Sequence, residues 1–193
     1  MDSNEIIKDR IHQAIGLKQE VLSSANLLAI VSEVVDEVVT AFKNDKKVFF
    51  CGNGGSAADA QHLSAEFSGR FYHDREPLFS EAFHTNTSYL TAVANDYGYN
   101  EIYSRLVKAK CREGDVLIGM STSGNSENIV RALELANTKG VVTVSMTGET
   151  GGRMKSCCKY LINIPSKDTP RIQELHMLLG HTICEIVEQK LLK

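Results

Sequence analysis

Most of the features that would assign this chain at a glance are missing from it. There is no excess of positive charge: 21 Lys and Arg stand against 24 Asp and Glu, a net charge of -3. The bulk electrostatics therefore carry no footprint of nucleic-acid binding. No apolar run approaches the ~20 residues that a membrane helix needs. The opening "MDSNEIIKDR" has neither the basic start nor the apolar core of a secretory signal. The five cysteines, Cys51, Cys111, Cys157, Cys158 and Cys184, are odd in number and include no C-x-x-C pair. That argues against a disulfide framework or a finger-type zinc site and points to a cytoplasmic protein with reduced thiols. Cys157 and Cys158 read as small buried residues. Internal repeats, low-complexity segments and linkers are also absent.

What remains is a chain of 193 residues, 42% hydrophobic and 23% charged, an ordinary globular composition of one-domain size. Two proline-free helical patterns come first. Ile7, Ile11, Ala14 and Ile15 follow helical spacing, then Leu27, Val31, Val34, Val35, Val38 and Phe42, with Asn26 as the expected N-cap of the second helix. From Lys46 short apolar runs alternate with helical stretches. Strands are predicted at Lys47–Cys51, Ser80–His84, Asp115–Met120, Val141–Met146 and Tyr160–Ile164. Helices are predicted near Ala57–Arg70, Thr87–Ala94, Glu101–Ala109 and Asn125–Thr138, with a last one from about Pro170 to the C-terminus. Such alternation means parallel strands joined by right-handed crossovers. The expected fold is a five-stranded doubly wound parallel α/β sheet: one domain over 1–193, with a helical N-terminal extension (1–44), an α/β core (46–193) and a long C-terminal helix. The last helix is apolar around much of its circumference (Ile172, Leu175, Leu178, Leu179, Ile183, Ile186, Val187, Leu191), so burial on more than one side is expected. With the amphipathic first helix, this favours a homo-oligomer.

Two loops compete for a ligand. In "CGNGGSA", Gly52-x-Gly54-x-x-Ala57 satisfies the dinucleotide fingerprint. The acidic residue that should grip the ribose at the end of the next strand is absent, because that strand ends "AFHTN". No G-x-x-x-x-G-K-[ST] phosphate loop occurs either, and no NAD is expected. The second loop, "MSTSGNS" at 120–126, puts the four hydroxyls of Ser121, Thr122, Ser123 and Ser126 at a strand-to-helix turn. Amides at a helix N-terminus attract anions, and hydroxyls add donors. An N-capping turn without a ligand would look similar, but it needs one hydroxyl rather than four. A phosphate monoester suits the turn. The glycines of the first loop would let its backbone approach a polyol.

His62 and Glu66 stand at i and i+4 on one helix face. Gln173 and His181 lie about 80° apart around the last helix. His62, Glu66 and His181 could hold zinc, with Gln173 as an unusual oxygen ligand. Glu66 and His181 would also serve as a carboxylate base and an imidazole acid for aldose–ketose interconversion. On the residues alone, the commoner readings are a solvated surface pair for His62 and Glu66 and a satisfied core histidine for His181.

Four blocks, "CGNGGSAADAQHLSAEFSGRF" (51–71), "AVANDYGYNEIYSR" (92–105), "GDVLIGMSTSGNSENI" (114–129) and "RIQELHMLLGH" (171–181), resemble the sedoheptulose-7-phosphate (phosphoheptose) isomerases of the sugar-isomerase (SIS) domain superfamily. The resemblance runs over nearly the whole chain. It implies an SIS-type fold and a homotetramer with active sites at subunit interfaces. The implied reaction turns D-sedoheptulose 7-phosphate into D-glycero-D-manno-heptose 7-phosphate through an enediol, the first step toward activated heptose for lipopolysaccharide or surface polysaccharide. It implies phosphate binding by Ser121, Thr122, Ser123 and Ser126 with help from Ser56. Further substrate contacts fall on Asn53, Gly54, Gly55, Glu66, Asn95, Asp96 and Gln173. It also implies a zinc ion, one per subunit, on His62, Glu66, Gln173 and His181, and Glu66 with His181 as the catalytic pair. Neither a nucleic acid nor a membrane is an implied partner. Two positions depart from the family pattern: Asn86 stands where Asp is common, and Pro170 where Asp or Ala is, with Thr169 as its possible substitute. A related non-enzymatic adaptor that binds a replication initiator lacks the Glu and His that this chain keeps. A regulatory SIS domain would need a DNA-binding module for which 193 residues leave little room. An isomerase of another sugar phosphate is the remaining alternative.

Overall fold

The segment "VFFCG" sets the architecture. Every residue of Val48–Gly52 (β1) is buried, with Val48 and Phe50 in one apolar cluster and Phe49 and Cys51 in another. A strand buried on both faces must sit inside a sheet covered by helices on each side. A computed structural model describes residues 2–192 and shows this arrangement. Strands β2 (Ser80–Ala82), β3 (Val116–Ser121), β4 (Val142–Thr147) and β5 (Tyr160–Asn163) complete an all-parallel sheet in the order β2-β1-β3-β4-β5. Val48 pairs in register with Ser80 on one side and Val116 on the other. All five predicted strands are present, within two residues of their predicted ends.

The helices are α1 (Ser3–Ser23), α2 (Ala25–Lys43), α3 (Gly55–Ser68), α4 (Thr87–Tyr97), α5 (Ile102–Lys110), α6 (Glu127–Thr138) and α7 (Thr169–Leu191). One face of the sheet (Phe50, Ile118, Met146) is covered by α2, α3 and α7. The other (Phe49, Leu117) is covered by α4, α5 and α6. The chain leaves β1 to build β2, then crosses back to build outward from β3. The order therefore reverses between β1 and β3, and the crevice at their carboxyl ends is where ligands bind in such sheets.

Several expectations are corrected. The helical extension predicted over 1–44 divides: α2 buries Leu27, Val31, Val34, Val35 and Val38 in the core layer, while α1 buries only Val21. The break between them falls at Ser24, not Asn26; Ser24 leaves helical geometry and its Oγ accepts from the Leu27 amide at 3.4 Å. Helix α6 begins at Glu127 rather than Asn125, because Gly124 turns at φ +67° and the Asn125 amide donates to Ser123 Oγ. The apolar surface of α7 is consistent with its expected burial on more than one side: Ile172, Leu175, Leu179, Ile183 and Val187 are buried, while Leu178 is exposed and Ile186 and Leu191 are half-buried. Ile7, Ile11 and Ile15 of α1 are likewise exposed. Cys157 is buried as expected, but Cys158 is half-buried. Among the described residues no helix is long and apolar enough to cross a membrane.

Candidate active site

Both loops singled out in the sequence open at the β1/β3 reversal. Asn53 and Gly54 follow β1, and Thr122 to Ser126 follow β3. Gly54 turns at φ +56°, which a side chain tolerates poorly. A side chain at Gly124 would put its Cβ 2.2 Å from the Gly151 carbonyl oxygen, so that turn is closed to anything larger. The two loops and the start of α7 enclose a cleft of about 270 Å³. Asn53, Gly55 and Ser56 line one wall, the serine–threonine loop another, and Thr169 with Gln173 the third.

The hydroxyls are organised toward one another. Ser121 Oγ lies 2.9 Å from Ser126 Oγ and 3.4 Å from Ser123 Oγ, and Thr122 Oγ1 lies 3.5 Å from Thr169 Oγ1. Ser126 occupies the N-cap position of α6 but makes no side-chain cap bond. Its hydroxyl is turned to the cluster, so a simple capping turn does not account for it. The N-caps of α3 and α7, Gly54 and Asp168, make no side-chain cap either. Three helix starts thus face one cleft without side-chain caps, and their dipoles favour an anion there. Among the described residues no Lys or Arg lines the cleft.

Asn128 was not anticipated. Buried at the first turn of α6, it exchanges two 2.9 Å amide bonds with Asn53, which also accepts from the Tyr99 hydroxyl at 3.1 Å. The Tyr103 hydroxyl donates to the Gly52 carbonyl. These partners hold the glycine loop against α6. Asn53 and Asn128 are 75 residues apart, so nothing local announces the pairing. The departures at 86 and 170 have plain physical accounts. Asn86 caps α4, its Oδ1 accepting from the Tyr89 amide at 3.0 Å, as Asp would. Pro170 lies in the first turn of α7, where its missing amide costs nothing.

The structure brings three of the predicted residues together. His62 Nε2 lies 2.9 Å from Glu66 Oε1 and 3.3 Å from His181 Nε2. One donor atom from each of the three falls within 4.8 Å of the others. Two nitrogen ligands of a tetrahedral zinc at ~2.0–2.1 Å stand ~3.3 Å apart, so two imidazoles and a carboxylate in this arrangement fit that ion. Gln173, the fourth predicted ligand, turns its amide nitrogen toward Ser56 Oγ at 3.5 Å and lines the cleft instead. Burial lowers the His181 pKa, and His62 lowers it further, against an opposing pull from Glu66. Both effects favour the neutral imidazole, which has one ring nitrogen to give a proton and one to take it. Asn95 and Asp96 are not brought to this chain's cleft; they are exposed on α4 and bond to each other at 2.9 Å.

Known proteins are similar in sequence and fold over nearly the whole chain. The SIS domain family matches residues 12–148. A phosphoheptose isomerase of Aneurinibacillus thermoaerophilus is 48% identical over 190 residues, 98% of this chain and 96% of that protein. The solved structure of the phosphoheptose isomerase from Neisseria gonorrhoeae superposes with a TM-score of 0.91 at 38% identity, covering 97% of this chain and all (100%) of that one. That of a phosphoheptose isomerase from Francisella tularensis gives 0.93 at 31% identity, covering 98% and 100%. A parallel sheet with a hydroxyl-lined cleft at its order reversal, matched end to end in sequence and in structure, places the chain in the phosphoheptose isomerase family of SIS-domain proteins, a family of aldose–ketose isomerases.

Proposed function

We propose that the chain converts D-sedoheptulose 7-phosphate to D-glycero-D-manno-heptose 7-phosphate in the cytoplasm, at the start of activated-heptose synthesis for lipopolysaccharide or surface polysaccharide. The observation that carries this reading is the spacing of the two sites along α7. Gln173 lines the hydroxyl cleft, and His181 belongs to the Glu66 cluster eight residues on, about 12 Å along the helix axis. An extended seven-carbon sugar with a terminal phosphate spans that scale.

The roles follow from the groups. Ser121, Thr122, Ser123 and Ser126, aided by Ser56, donate to the phosphate. Asn53, Gly54, Gly55 and Gln173 position the polyol. Glu66 takes the proton from C1 of the ketose and returns it to C2 through the enediol, while neutral His181 carries a proton between O1 and O2. No net oxidation occurs, so no nicotinamide is needed. Zinc, one per subunit, would be held by His62, Glu66 and His181 and would polarise the substrate oxygens when bound. A metal-bound carboxylate is a weaker base, so zinc would contribute by polarising the substrate oxygens and not by activating Glu66. The exposed stripe Ile7, Ile11 and Ile15 and the exposed Leu178 support a homotetramer with active sites at its interfaces. Asn95 and Asp96 are free to join such a site.

The test is direct. Purified protein is incubated with sedoheptulose 7-phosphate and aldoheptose phosphate is followed by NMR, with Glu66→Gln as control. Turnover that disappears in the variant supports the isomerase. Absence of turnover with and without added zinc rejects this substrate.

A further inference from the structure

His62 and Glu66 belong to α3, and His181 to α7. Their own contacts are few, and His62 is half in solvent, so the cluster does not by itself fix how the two helices meet. Next to it lies an ion pair that the proposed mechanism does not use. The side chain of Glu188 is 1% exposed and that of Arg75 is 6%. Glu188 follows His181 by seven residues on α7, two turns along the same face.

Every polar atom of this pair is committed. Glu188 Oε1 accepts from Arg75 Nε at 2.9 Å and from the Phe71 amide at 3.3 Å. Its Oε2 accepts from the amides of Tyr72 at 2.8 Å and His73 at 3.0 Å. Arg75 Nη2 donates to the backbone carbonyl of Glu66 itself at 2.8 Å. Its Nη1 donates to the carbonyls of Phe67 and Glu76, each at 3.0 Å. The last carbonyls of a helix have no partner within it; here one guanidinium takes those of the turn that carries Glu66. The loop held by Glu188 places the Phe71 ring over the His181 imidazole, with centroids 5.6 Å apart and planes 22° from parallel. Burial alone would raise the Glu188 pKa; the amides of His73, Tyr72 and Phe71 and the Arg75 guanidinium outweigh it and hold the carboxyl below the usual range. A hydrophobic pair of similar volume would hold two helices together as well as a buried ion pair does. What it could not do is reach the Glu66 carbonyl and three loop amides at once.

We infer that Arg75 and Glu188 are positioning residues for the isomerisation: together they set the placement of Glu66 on α3 against His181 on α7 and seat Phe71 on the imidazole, without touching the substrate. The inference rests on the roles proposed above for Glu66 and His181. The cleft that takes the phosphate lies at the other end of α7 and does not depend on the pair.

The experiment uses the full chain with two variants, Glu188→Gln and Arg75→Lys. The first keeps the volume but turns an amide nitrogen against donors; the second keeps the charge but loses the fork. Both are assayed with sedoheptulose 7-phosphate, and the His181 ring protons are followed by NMR in the same samples. The expected result is a kcat lowered at least tenfold, a KM within twofold of the unaltered chain, and a shifted His181 ring resonance as Phe71 leaves the stack. A folded variant with kcat within twofold and an unmoved His181 resonance overturns the inference. So does a lower melting temperature with unchanged kcat, the mark of a pair that only stabilises. Should Glu188→Gln fail to fold, Arg75→Lys decides. If the unaltered chain shows no turnover, the proposed substrate fails. The pair is then judged on the His181 resonance alone, where movement supports positioning and constancy refutes it.

Discussion

The hydroxyl cleft and the His62–Glu66–His181 cluster share helix α7 but are built by opposite means. The cleft is made chiefly of two short contiguous stretches, 53–56 and 121–126, each emerging at the end of a central strand, with Thr169 and Gln173 of α7 as its third wall. Its geometry is set by backbone turns, glycines and helix starts, and its side chains are small. The cluster is made of long side chains, and Glu66 and His181 are 115 residues apart on two helices. Its geometry is set by how those helices pack. In the proposed reading, a binding cleft set largely by strand ends should tolerate changes at the α3–α7 contact, and a reacting cluster set by that contact should not. Loss of cleft groups should therefore appear in KM, and loss of cluster groups in kcat.

The largest effect expected is that of Glu66→Gln. Its kcat should fall about 10³-fold, the scale of a lost general base, with KM little changed. Retained turnover in the NMR assay would remove Glu66 from the chemistry. Next is the double change Ser121→Ala, Ser123→Ala. Hydrogen bonds to a charged group contribute about 1.5–3 kcal/mol each, so KM should rise on the order of 10²-fold with kcat nearly kept. An unmoved KM in steady-state kinetics would sink the phosphate reading of the loop.

The shared helix offers a third test. His176 is fully buried on α7, with Nε2 3.1 Å from the Thr147 carbonyl and Nδ1 without a partner. Burial lowers its pKa to about 4, against a smaller opposing effect of the Thr147 bond. The folded state thus keeps a neutral imidazole while the unfolded chain, with its ordinary value near 6.5, takes up a proton. This contribution to stability is present above pH ~6.5 and is lost as pH falls toward ~4, by about 2–3 kcal/mol. Urea unfolding at pH 7 and pH 4.5 should show that loss in the natural chain and a smaller one in His176→Gln. Equal slopes in both would show that His176 is not its source.

Chelation bears on the cluster alone. Removing zinc should lower turnover at least about tenfold and leave KM for the sugar phosphate in place; metal analysis alongside activity should track the two together. Activity independent of bound zinc would leave Glu66 and His181 as the whole of the reacting end. The smallest effect expected is that of Asn128→Ala. Losing the buried amide pair with Asn53 should cost about 1–3 kcal/mol of stability in denaturant unfolding and raise KM more than it lowers kcat. A change in kcat alone would break the division between the two ends.

How much of this was legible depended on range. The five strands could be read because a strand buried on both faces, such as Val48–Gly52, is a short continuous apolar run. The cleft could be read because four hydroxyls crowd one strand-to-helix turn. The His62–Glu66 pair followed from helical spacing. Asn128 and the Arg75–Glu188 pair were not legible, because buried polar residues carry no periodic signal and their partners lie 75 and 113 residues away. Gln173 lines the cleft, as its reading as a substrate contact expected, but its reading as a metal ligand failed for the same reason. Its place on α7 followed from periodicity, but its rotamer is set by Ser56 and by the space left above Gly55.

By itself the sequence determined the elements, the parallel sense of the strands and the candidate residues of the two sites, since turn residues, apolar runs and helix spacing act over a few residues. The tertiary structure alone decided which distant groups meet: that β1 and β3 lie side by side so that two loops make one cleft, that α3 and α7 bring Glu66 to His181, and that a buried guanidinium and carboxylate lock the turn between them. Those pairings depend on how buried surfaces pack and on where each buried donor finds an acceptor. That is a property of the assembled core and not of any segment of the chain.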